Sequence, residues 1–257
     1  MMPRVSIIIP AYNSGKYIGE CLDSLMAQTF QEWEAIIVVA PSTDNTVEEV
    51  LKYVSPPKIN AIWERQKTNC ATARNRGVAT SLGDYVSFLD ADDWLEPDNL
   101  ATMVKYLDDN LFLEWCASYQ EIHVGDEIHL IKDLPGTTNE IGGIGGCLYS
   151  RYLLHEIEQK YGYIFDERLN HTDDGDLTLR VRHYPAGLIP LVLSHYRWNE
   201  EGLTATTRST EQSWGIVKMC ARRGAWEFLP YHLKNLVACI AVEKFGLNVV
   251  NKEMKKE

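Results

Sequence analysis

Residues 5–13 of the chain read VSIIIPAYN, and this stretch decides the fold. Val5–Ile9 is an apolar, β-branched run, which is typical of a strand buried on both faces of a sheet. Pro10-Ala11-Tyr12 breaks the run, and Asn13 or Ser14 can then cap a helix. A buried strand followed directly by a helix favours a fold in which strands and helices alternate.

The same alternation continues through the first half of the chain. Further buried strands are predicted at Ala35–Val39, Ile59–Trp63 and Tyr85–Leu89. Helices are predicted between them from apolar residues spaced three or four apart, and a helix of small residues is predicted over Ala71–Leu82. Three inward faces are predicted to carry Ile18, Leu22, Leu25 and Met26, then Val47, Val50, Leu51 and Val54, and finally Leu100, Met103, Val104 and Leu107. This order predicts an α/β fold with a doubly wound, mostly parallel sheet flanked by helices.

The second half of the chain is less regular. Its predicted elements are a glycine-rich loop, a helix and a strand, at Gly142–Gly146, Leu153–Ile157 and Gly187–Leu193. From Trp214 onward the pattern is helical. A chain of 257 residues suits one α/β domain or two closely packed halves. We predict a domain over residues 1–213, divided near residue 120, and a C-terminal helical extension over residues 214–257.

The composition is that of a globular protein, and its charge limits the partners. Hydrophobic residues make up 45% and charged residues 24% of the chain, and both values are ordinary. The net charge of −11 argues against a general nucleic-acid binder, because a polyanion would be repelled over most of the surface. A late apolar run, Leu236–Val242, is too short to span a bilayer.

The six cysteines form no CxxC pair and lie at Cys21, Cys70, Cys116, Cys147, Cys220 and Cys239. Scattered cysteines with apolar neighbours are typical of reduced core residues, so a cytoplasmic location is expected. The first residues show no cleavage pattern, so no signal peptide is expected. Peripheral association at the inner face of a membrane stays open.

Three strand ends are expected to meet at one edge of the sheet, where ligands of such folds bind: Pro10–Asn13, Ala40–Thr43 and Asp90–Asp93. Asp90-Ala91-Asp92 follows a buried strand directly, and two neighbouring carboxylates repel one another unless a cation lies there. Oxygen ligands favour Mg²⁺ or Mn²⁺, which also binds substrate phosphates. The alternative is an acidic turn that caps the next helix.

A second acidic pair, Asp173-Asp174, lies far downstream. If the fold brings this pair across a cleft from Asp92, one carboxylate could take a proton from an attacking hydroxyl. The alternative is a helix N-terminus at which acids complement the helix dipole.

Five further residues are candidates for ligand contacts. Arg74, Arg180 and Arg197 could bind phosphate through their forked guanidinium groups, although a salt bridge is the alternative for each. Tyr12 could stack on a base, or be an ordinary aromatic residue at a strand end. His195 could bind a metal or a phosphate, and a hydrogen-bonded structural histidine is the alternative.

Six segments share their order with one known family: VSIIIPAYN at 5–13, LDSL and QTF at 22–30, ATARNRG at 71–77, FLDADD at 88–93, DD at 173–174 and YR at 196–197. Together they resemble the family 2 glycosyltransferases of the GT-A fold. The third segment resembles the family's "ARNxG", the fourth its "FLDaDD" metal motif and the fifth its "ED" pair. The resemblance covers about residues 3–210.

The resemblance implies an inverting sugar transfer from a nucleoside diphosphate, with a UDP-sugar as the expected donor. The acceptor would be a hydroxyl of a saccharide or a lipid-linked saccharide, in the synthesis of a cell-surface polysaccharide. Asp92 would be the main ligand of Mn²⁺ or Mg²⁺, beside Asp90, and Asp174 would be the general base. Residues 1–120 would bind the nucleotide, and residues 121–213 would border the acceptor. The donor-binding residues would be Pro10, Ala11, Tyr12, Asn13, Arg74, Asp90, Ala91, Asp92 and Arg197.

One departure concerns the nucleobase. After its second strand the family usually has "DDGS", whose acids read the base, whereas this chain has Val39-Ala40-Pro41-Ser42. The following Thr43-Asp44-Asn45-Thr46 fits the family, so the loss is real. Backbone groups could read the base, or another nucleotide sugar could be the donor, or donor binding could be weak.

Two other classes of function stay open. A nucleotidyltransferase would need a glycine-rich, basic phosphate loop, which Ala11–Lys16 matches poorly. An inactive nucleotide-sugar-binding module is suggested by the missing acids and opposed by the retained Asp90, Asp92 and Asp174. The C-terminal extension could pack on the domain, form a homodimer contact, or lie on a membrane through its aromatic cluster, Trp226, Phe228, Leu229 and Tyr231.

Overall fold

A computed structural model of the chain describes residues 2–135, 144–169, 172–198, 210–233 and 236. The strands are β1 Val5–Ala11, β2 Trp33–Val39, β3 Ile59–Trp63, β4 Tyr85–Phe88, β5 Trp94–Leu95, β6 Trp115–Val124, β7 Glu127–Ile131, β8 Cys147–Ser150 and β9 Ala186–Arg197. The helices are α1 Ile18–Met26, α2 Thr46–Leu51, α3 Cys70–Thr80, α4 Asn99–Asp109, α5 Arg151–Tyr161, α6 Asp173–Val181 and α7 Thr210–Arg222. Each strand and helix predicted in the first half is present, with ends shifted by a few residues.

The strands form one sheet in the order β3-β2-β1-β4-β8-β6-β9-β5, with β7 paired to β6. Neighbouring strands from β3 to β4 are parallel, as are β6 and β9. Strands β5, β7 and β8 pair antiparallel with their neighbours. The predicted α/β fold with a doubly wound sheet is confirmed, and the antiparallel strands extend it beyond the β4 end.

Helices cover both faces of the sheet. One core cluster joins β1 and β2 to residues of α1, α2 and α4. The other joins the opposite face of the same strands to α3, α5 and α6. Two predicted inward residues are wrong: Met26 is 55% exposed and Leu51 is 57% exposed. Both are the last residue of their helix.

Helix α3 lies unusually close to β1. A β-carbon built on Gly77 would overlap the side chain of Ile8, in the middle of β1. The helix can pack at this distance only because residue 77 has no side chain. Arg74 lies one turn earlier on the same helix, so the close contact also fixes the position of its guanidinium group.

The chain divides into two compact units, Met1–Trp198 and Asn199–Glu257. The second unit contains α7 and a short 3₁₀ helix, Trp226–Phe228. In the predicted aromatic cluster Phe228 is buried, whereas Trp226 and Tyr231 are exposed. The predicted boundary at residue 213, and the division near residue 120, stay predictions.

Two further expectations can be compared with the described residues. No helix among them combines the length and the apolarity that a bilayer span requires. No disulfide joins the five cysteines of the described residues, and Cys239 lies outside them. Of the predicted glycine-rich loop, Gly142 and Gly143 lie outside them too. Gly146 has a φ of 77°, and a β-carbon there would overlap Ser194 of β9.

Candidate active site

The first predicted ligand-binding segment is the end of β1, where Pro10 and Ala11 pair in register with the last residues of β2. Asn13 has a φ of 49°, a left-handed conformation that asparagine tolerates better than most residues. Its side-chain oxygen accepts a hydrogen bond from the Thr43 backbone N–H at 2.9 Å. Its own N–H donates to Ser42 Oγ at 3.1 Å. The loops that follow β1 and β2 are therefore tied together.

The aromatic candidate Tyr12 lies in this loop and is 39% exposed. The ammonium group of Lys67 lies 3.7 Å from the centroid of its ring. An exposed ring with an adjacent cation is a suitable place for a base and a phosphate, because the ring can stack and the cation can pair.

The segment after β2 stands where the family usually has the acids that read the base. Ala40 is buried, and the next carboxylate along the chain is that of Asp44. Asp44 Oδ2 accepts from the Gly15 N–H at 2.9 Å, and its Oδ1 accepts from the Thr46 hydroxyl at 2.5 Å. Partial burial opposes ionisation, but the hydrogen bonds from Thr46 and Gly15 lower the pKa of Asp44 below its ordinary value. This carboxylate holds the two loops together.

The centre of the site is a buried arginine on α3. Arg74 is 4% exposed, and its two terminal nitrogens bind different carboxylates. Nη1 donates to Asp173 Oδ2 at 2.6 Å, and Nη2 donates to Asp90 Oδ1 at 2.8 Å. Burial opposes the charge, but Asp90 and Asp173 raise the pKa of Arg74 well above its ordinary value. One guanidinium group thus joins the loop after β4 to the start of α6.

The loop after β4 concentrates carboxylates. Burial, and then the charge of Asp90, raise the pKa of Asp92 to about 6. Asp93 is 3% exposed and accepts a hydrogen bond from the Arg197 backbone N–H at 2.8 Å. Burial, with Asp90 and Asp92 nearby, raises the pKa of Asp93 well above its ordinary value. A bound cation would offset the burial and the neighbouring negative charge that oppose ionisation of Asp92, so the loop with Asp90 and Asp92 fits a hard divalent metal.

The second acidic pair begins helix α6. Asp174 is half-buried, and its Oδ1 accepts a hydrogen bond from the Gly175 N–H at 2.7 Å. Burial and the charge of Asp173 raise the pKa of Asp174 to about 6, although Arg74 opposes this shift. Asp173 and Asp174 do lie in the first turn of a helix, as the alternative interpretation expected. At that position burial and Asp173 outweigh the helix dipole, which on its own would lower the pKa of a carboxyl group.

The other two arginines differ in their surroundings. Arg197, at the end of β9, donates from Nε to the backbone oxygen of Asp92 at 3.1 Å and from Nη2 to Glu20 Oε2 at 2.5 Å. It therefore lies at the predicted metal loop. Arg180 is 2% exposed and pairs with Asp176 at 3.0 Å inside α6, so for Arg180 the salt-bridge alternative is right.

His195 lies in a group that the sequence did not suggest. Its ring stacks on Trp94, with the ring centroids 4.9 Å apart. Its Nε2 lies 2.8 Å from Glu96 Oε1, and its Nδ1 lies 3.1 Å from His123 Nε2 and 3.3 Å from Glu121 Oε2. The signal for the missed residues is Glu121-Ile122-His123 on one strand, since residues two apart share a face of a sheet.

Comparison with known proteins identifies a family for the chain. The family model described as glycosyl transferase family 2 matches residues 6–143, which is more than half of the chain. Chondroitin synthase of Pasteurella multocida is 41% identical over 105 residues, covering 40% of this chain and 11% of that protein. The chain therefore spans only a small part of the length of curated relatives such as this one.

Solved structures with a similar fold cover nearly the whole chain. S. aureus TarS 1–349, in complex with UDP-GlcNAc, superposes with a TM-score of 0.73 at 20% identity, over 98% of this chain and 77% of that chain. The mannosyltransferase PcManGT of Pyrobaculum calidifontis, in complex with GDP-Man and Mn²⁺, gives 0.67 at 22% identity, over 94% and 75%. These likenesses show the GT-A fold. The family match over residues 6–143 adds one conclusion: the chain belongs to the family 2 glycosyltransferases.

Proposed function

We propose that the enzyme transfers a sugar from a nucleoside-diphosphate donor, with UDP-sugar as the first candidate, to a hydroxyl of a saccharide or lipid-linked acceptor. The reaction inverts the anomeric centre, with Asp174 as the general base. The observation that carries the proposal is the double ion pair of Arg74. It holds Asp90, in the predicted metal loop, and Asp173, next to the predicted base, on one buried cation.

The base assignment follows from the difference between the two carboxylates of the pair. Asp173 is 3% exposed and its Oδ2 is bound by Arg74, so it lacks a free path to an acceptor. Asp174 is more exposed and has a pKa raised to about 6. A carboxylate with a raised pKa is a stronger base than an ordinary one, yet it is ionised at neutral pH.

The donor is proposed to bind across the ends of β1 and β4. Tyr12 would stack on the base, and Pro10, Ala11 and Asn13 would line its pocket with backbone groups. Arg197 and Lys67 would approach the phosphates, as an acidic protein needs local cations to hold a dianion. A divalent metal held by Asp92 and Asp90, beside Ala91, would neutralise charge that builds up on the departing diphosphate.

The biological setting is proposed from relatives. Chondroitin synthase and hyaluronan synthase of Pasteurella multocida match residues of this chain at 41% identity over 105 residues, which supports a role in the synthesis of a polysaccharide. The solved relatives whose complexes contain UDP-GlcNAc and GDP-Man support a nucleotide-sugar donor. We propose a cytoplasmic enzyme, with a homodimer contact or peripheral membrane association through the second unit as roles for Trp226 and Tyr231.

A thermal-shift panel tests the donor site. UDP with Mn²⁺ or Mg²⁺ should raise the melting temperature, because a ligand that binds only the native state stabilises it by mass action. EDTA or Asp92→Ala should abolish the shift. Lys105→Ala is the control, since Lys105 pairs with Asp109 on the exposed face of α4 and should leave the shift unchanged.

The other outcomes of the panel are also informative. A larger shift with GDP than with UDP would indicate that the donor carries guanine instead of uracil. This outcome would agree with the missing base-reading acids after β2. A metal-dependent shift without measurable sugar transfer would favour the inactive binding module over the enzyme. No shift with any nucleoside diphosphate would contradict the proposed donor site.

The pH dependence tests the base. Asp174 must be ionised to accept a proton, so kcat should be constant at neutral pH and fall about tenfold per pH unit below its pKa of about 6. The rates should be measured at saturating donor and metal, because Asp92 also titrates near pH 6 and its protonation would weaken metal binding. A profile that stays flat to pH values well below 6 would exclude Asp174 as the base.

A further inference from the structure

Three side chains on β6 and β9 direct ligand atoms at one point. Glu121 and His195 are direct partners in the parallel ladder, and His123 lies two residues along β6 from Glu121. The separations are 3.1 Å for His123 Nε2 to His195 Nδ1, 3.3 Å for His195 Nδ1 to Glu121 Oε2, and 3.5 Å for His123 Nε2 to Glu121 Oε2. The three atoms form a nearly equilateral triangle.

This triangle has the dimensions of a metal coordination face. Zinc binds histidine nitrogen and carboxylate oxygen at about 2.0–2.2 Å, so two ligands of a tetrahedral ion are about 3.3–3.5 Å apart. All three separations are close to this range.

The surroundings of His195 support the same conclusion. Its second ring nitrogen, Nε2, lies 2.8 Å from Glu96 Oε1, and its ring face stacks on Trp94. Histidines that bind metal commonly donate their other N–H to a carboxylate, which fixes the tautomer and turns the lone pair toward the metal. His195 is 7% exposed, so this orientation is held by packing.

The three atoms of the triangle have too few protons between them to satisfy one another by hydrogen bonds. If His195 is a neutral imidazole and its Nε2 donates a proton to Glu96, then Nδ1 carries a lone pair. Glu121 Oε2 is an acceptor as well. A single N–H on His123 would have to serve both of these atoms, and one proton cannot be directed at two acceptors with good geometry. A cation at the centre of the triangle would satisfy all three atoms.

We propose that Glu121, His123 and His195 form a binding site for a divalent transition metal of the zinc type. Two imidazole nitrogens and one carboxylate oxygen suit such an ion better than Mg²⁺ or Mn²⁺. The side chains of His123 and Glu121 are 23% and 29% exposed, so a fourth position is open to water or to a ligand. Among the described residues, the group of converging donors contains neither Asp90 nor Asp92.

The proposed metal is thus a second one, and it changes the role predicted for His195. It would link β6 to β9 directly before Arg197, whose guanidinium group donates to the backbone oxygen of Asp92. Occupancy of the second site would stiffen the end of β9 that borders the donor loop. The inference stands independently of the proposed sugar transfer, because it needs only these three side chains.

The test is calorimetric titration of the EDTA-stripped protein with Zn²⁺, together with Co²⁺ absorption as a report of nitrogen ligands. We expect one equivalent of Zn²⁺ to bind to the wild type and to Asp92→Ala. His123→Gln and Glu121→Gln should weaken this binding by about 100-fold or more, and Glu96→Gln by roughly 10–100-fold, because Glu96 acts only through His195.

His129→Gln is the matched control. His129 is also a strand histidine beside a glutamate, with Nε2 3.6 Å from Glu127 Oε2, but it has no third ligand in the described group. Its substitution should leave Zn²⁺ binding unchanged. The inference is overturned if the wild type binds no Zn²⁺, if His123→Gln and Glu121→Gln bind it as the wild type does, or if Asp92→Ala abolishes it. Circular dichroism should show that each variant is folded.

Discussion

Replacing Asp174 by asparagine should lower kcat by roughly 10²–10⁴-fold, the usual contribution of a general base. The amide has the same shape and still accepts the hydrogen bond from Gly175, but it cannot take a proton from the acceptor. Donor binding should be retained, because Asp174 is not among the residues proposed to bind the nucleotide. The measurement is the steady-state transfer rate, with the thermal shift by UDP and Mn²⁺ as the report on donor binding.

Stability provides the control for this substitution. An ionised Asp174 is disfavoured by burial and by Asp173, as its raised pKa shows. Its folded-state pKa lies above the unfolded value, so its contribution to stability is present below about pH 4 and is lost as the pH rises through about 6. Asp174→Asn should therefore be at least as stable as the wild type at pH 8. Near-normal turnover in Asp174→Asn, with turnover abolished in Asp173→Asn, would move the base to Asp173.

Among the proposed substitutions, removing the charge of Arg74 should cause the largest decrease in the free energy of unfolding. In Arg74→Met the buried Asp173 would lose its only cationic partner among the described contacts, and breaking a buried ion pair from one side typically costs about 3–5 kcal/mol. Activity should be lost as well, since the metal loop and the start of α6 would no longer share a cation. Urea unfolding followed by circular dichroism measures the first effect, and transfer assays measure the second.

Arg4→Met is the matched control for Arg74→Met. Arg4 also makes two charged hydrogen bonds, although both go to the carboxyl group of Asp108, at 2.9 Å and 2.8 Å. This pair is partly exposed, with side chains that are 34% and 39% accessible. Exposed pairs contribute about 0–1 kcal/mol. Equal losses of stability in the two variants would show that burial of the Arg74 pair has no special energetic consequence.

The sequence predicted the parts of this protein that depend on neighbours along the chain. The apolar run at Val5–Ile9 and the acids at Asp90–Asp93 needed only local patterns, and both lie where the patterns place them. The link between Asp90 and Asp173 could not be predicted from spacing. It depends on Arg74, which is 99 residues from Asp173, and any buried carboxylate could have been its partner.

The sequence could not predict that Glu121, His123 and His195 lie together, and the reason is different. Glu121 faces His195 only after two shifts in the pairing of β6 with β9, between Ser118 and Tyr119 and between Tyr119 and Gln120. A regular ladder would place other residues opposite His195. The alternation of a strand predicts which residues share a face, but an irregular register decides which residues meet across strands.

The glycine at position 77 shows why one motif of this family contains a residue that touches no substrate. A side chain there would lift α3 away from Ile8, and Arg74 would move with the helix. Its two nitrogens would then no longer reach both Asp90 and Asp173. The absence of a single methyl group in the core thereby allows one guanidinium group to reach both carboxylates.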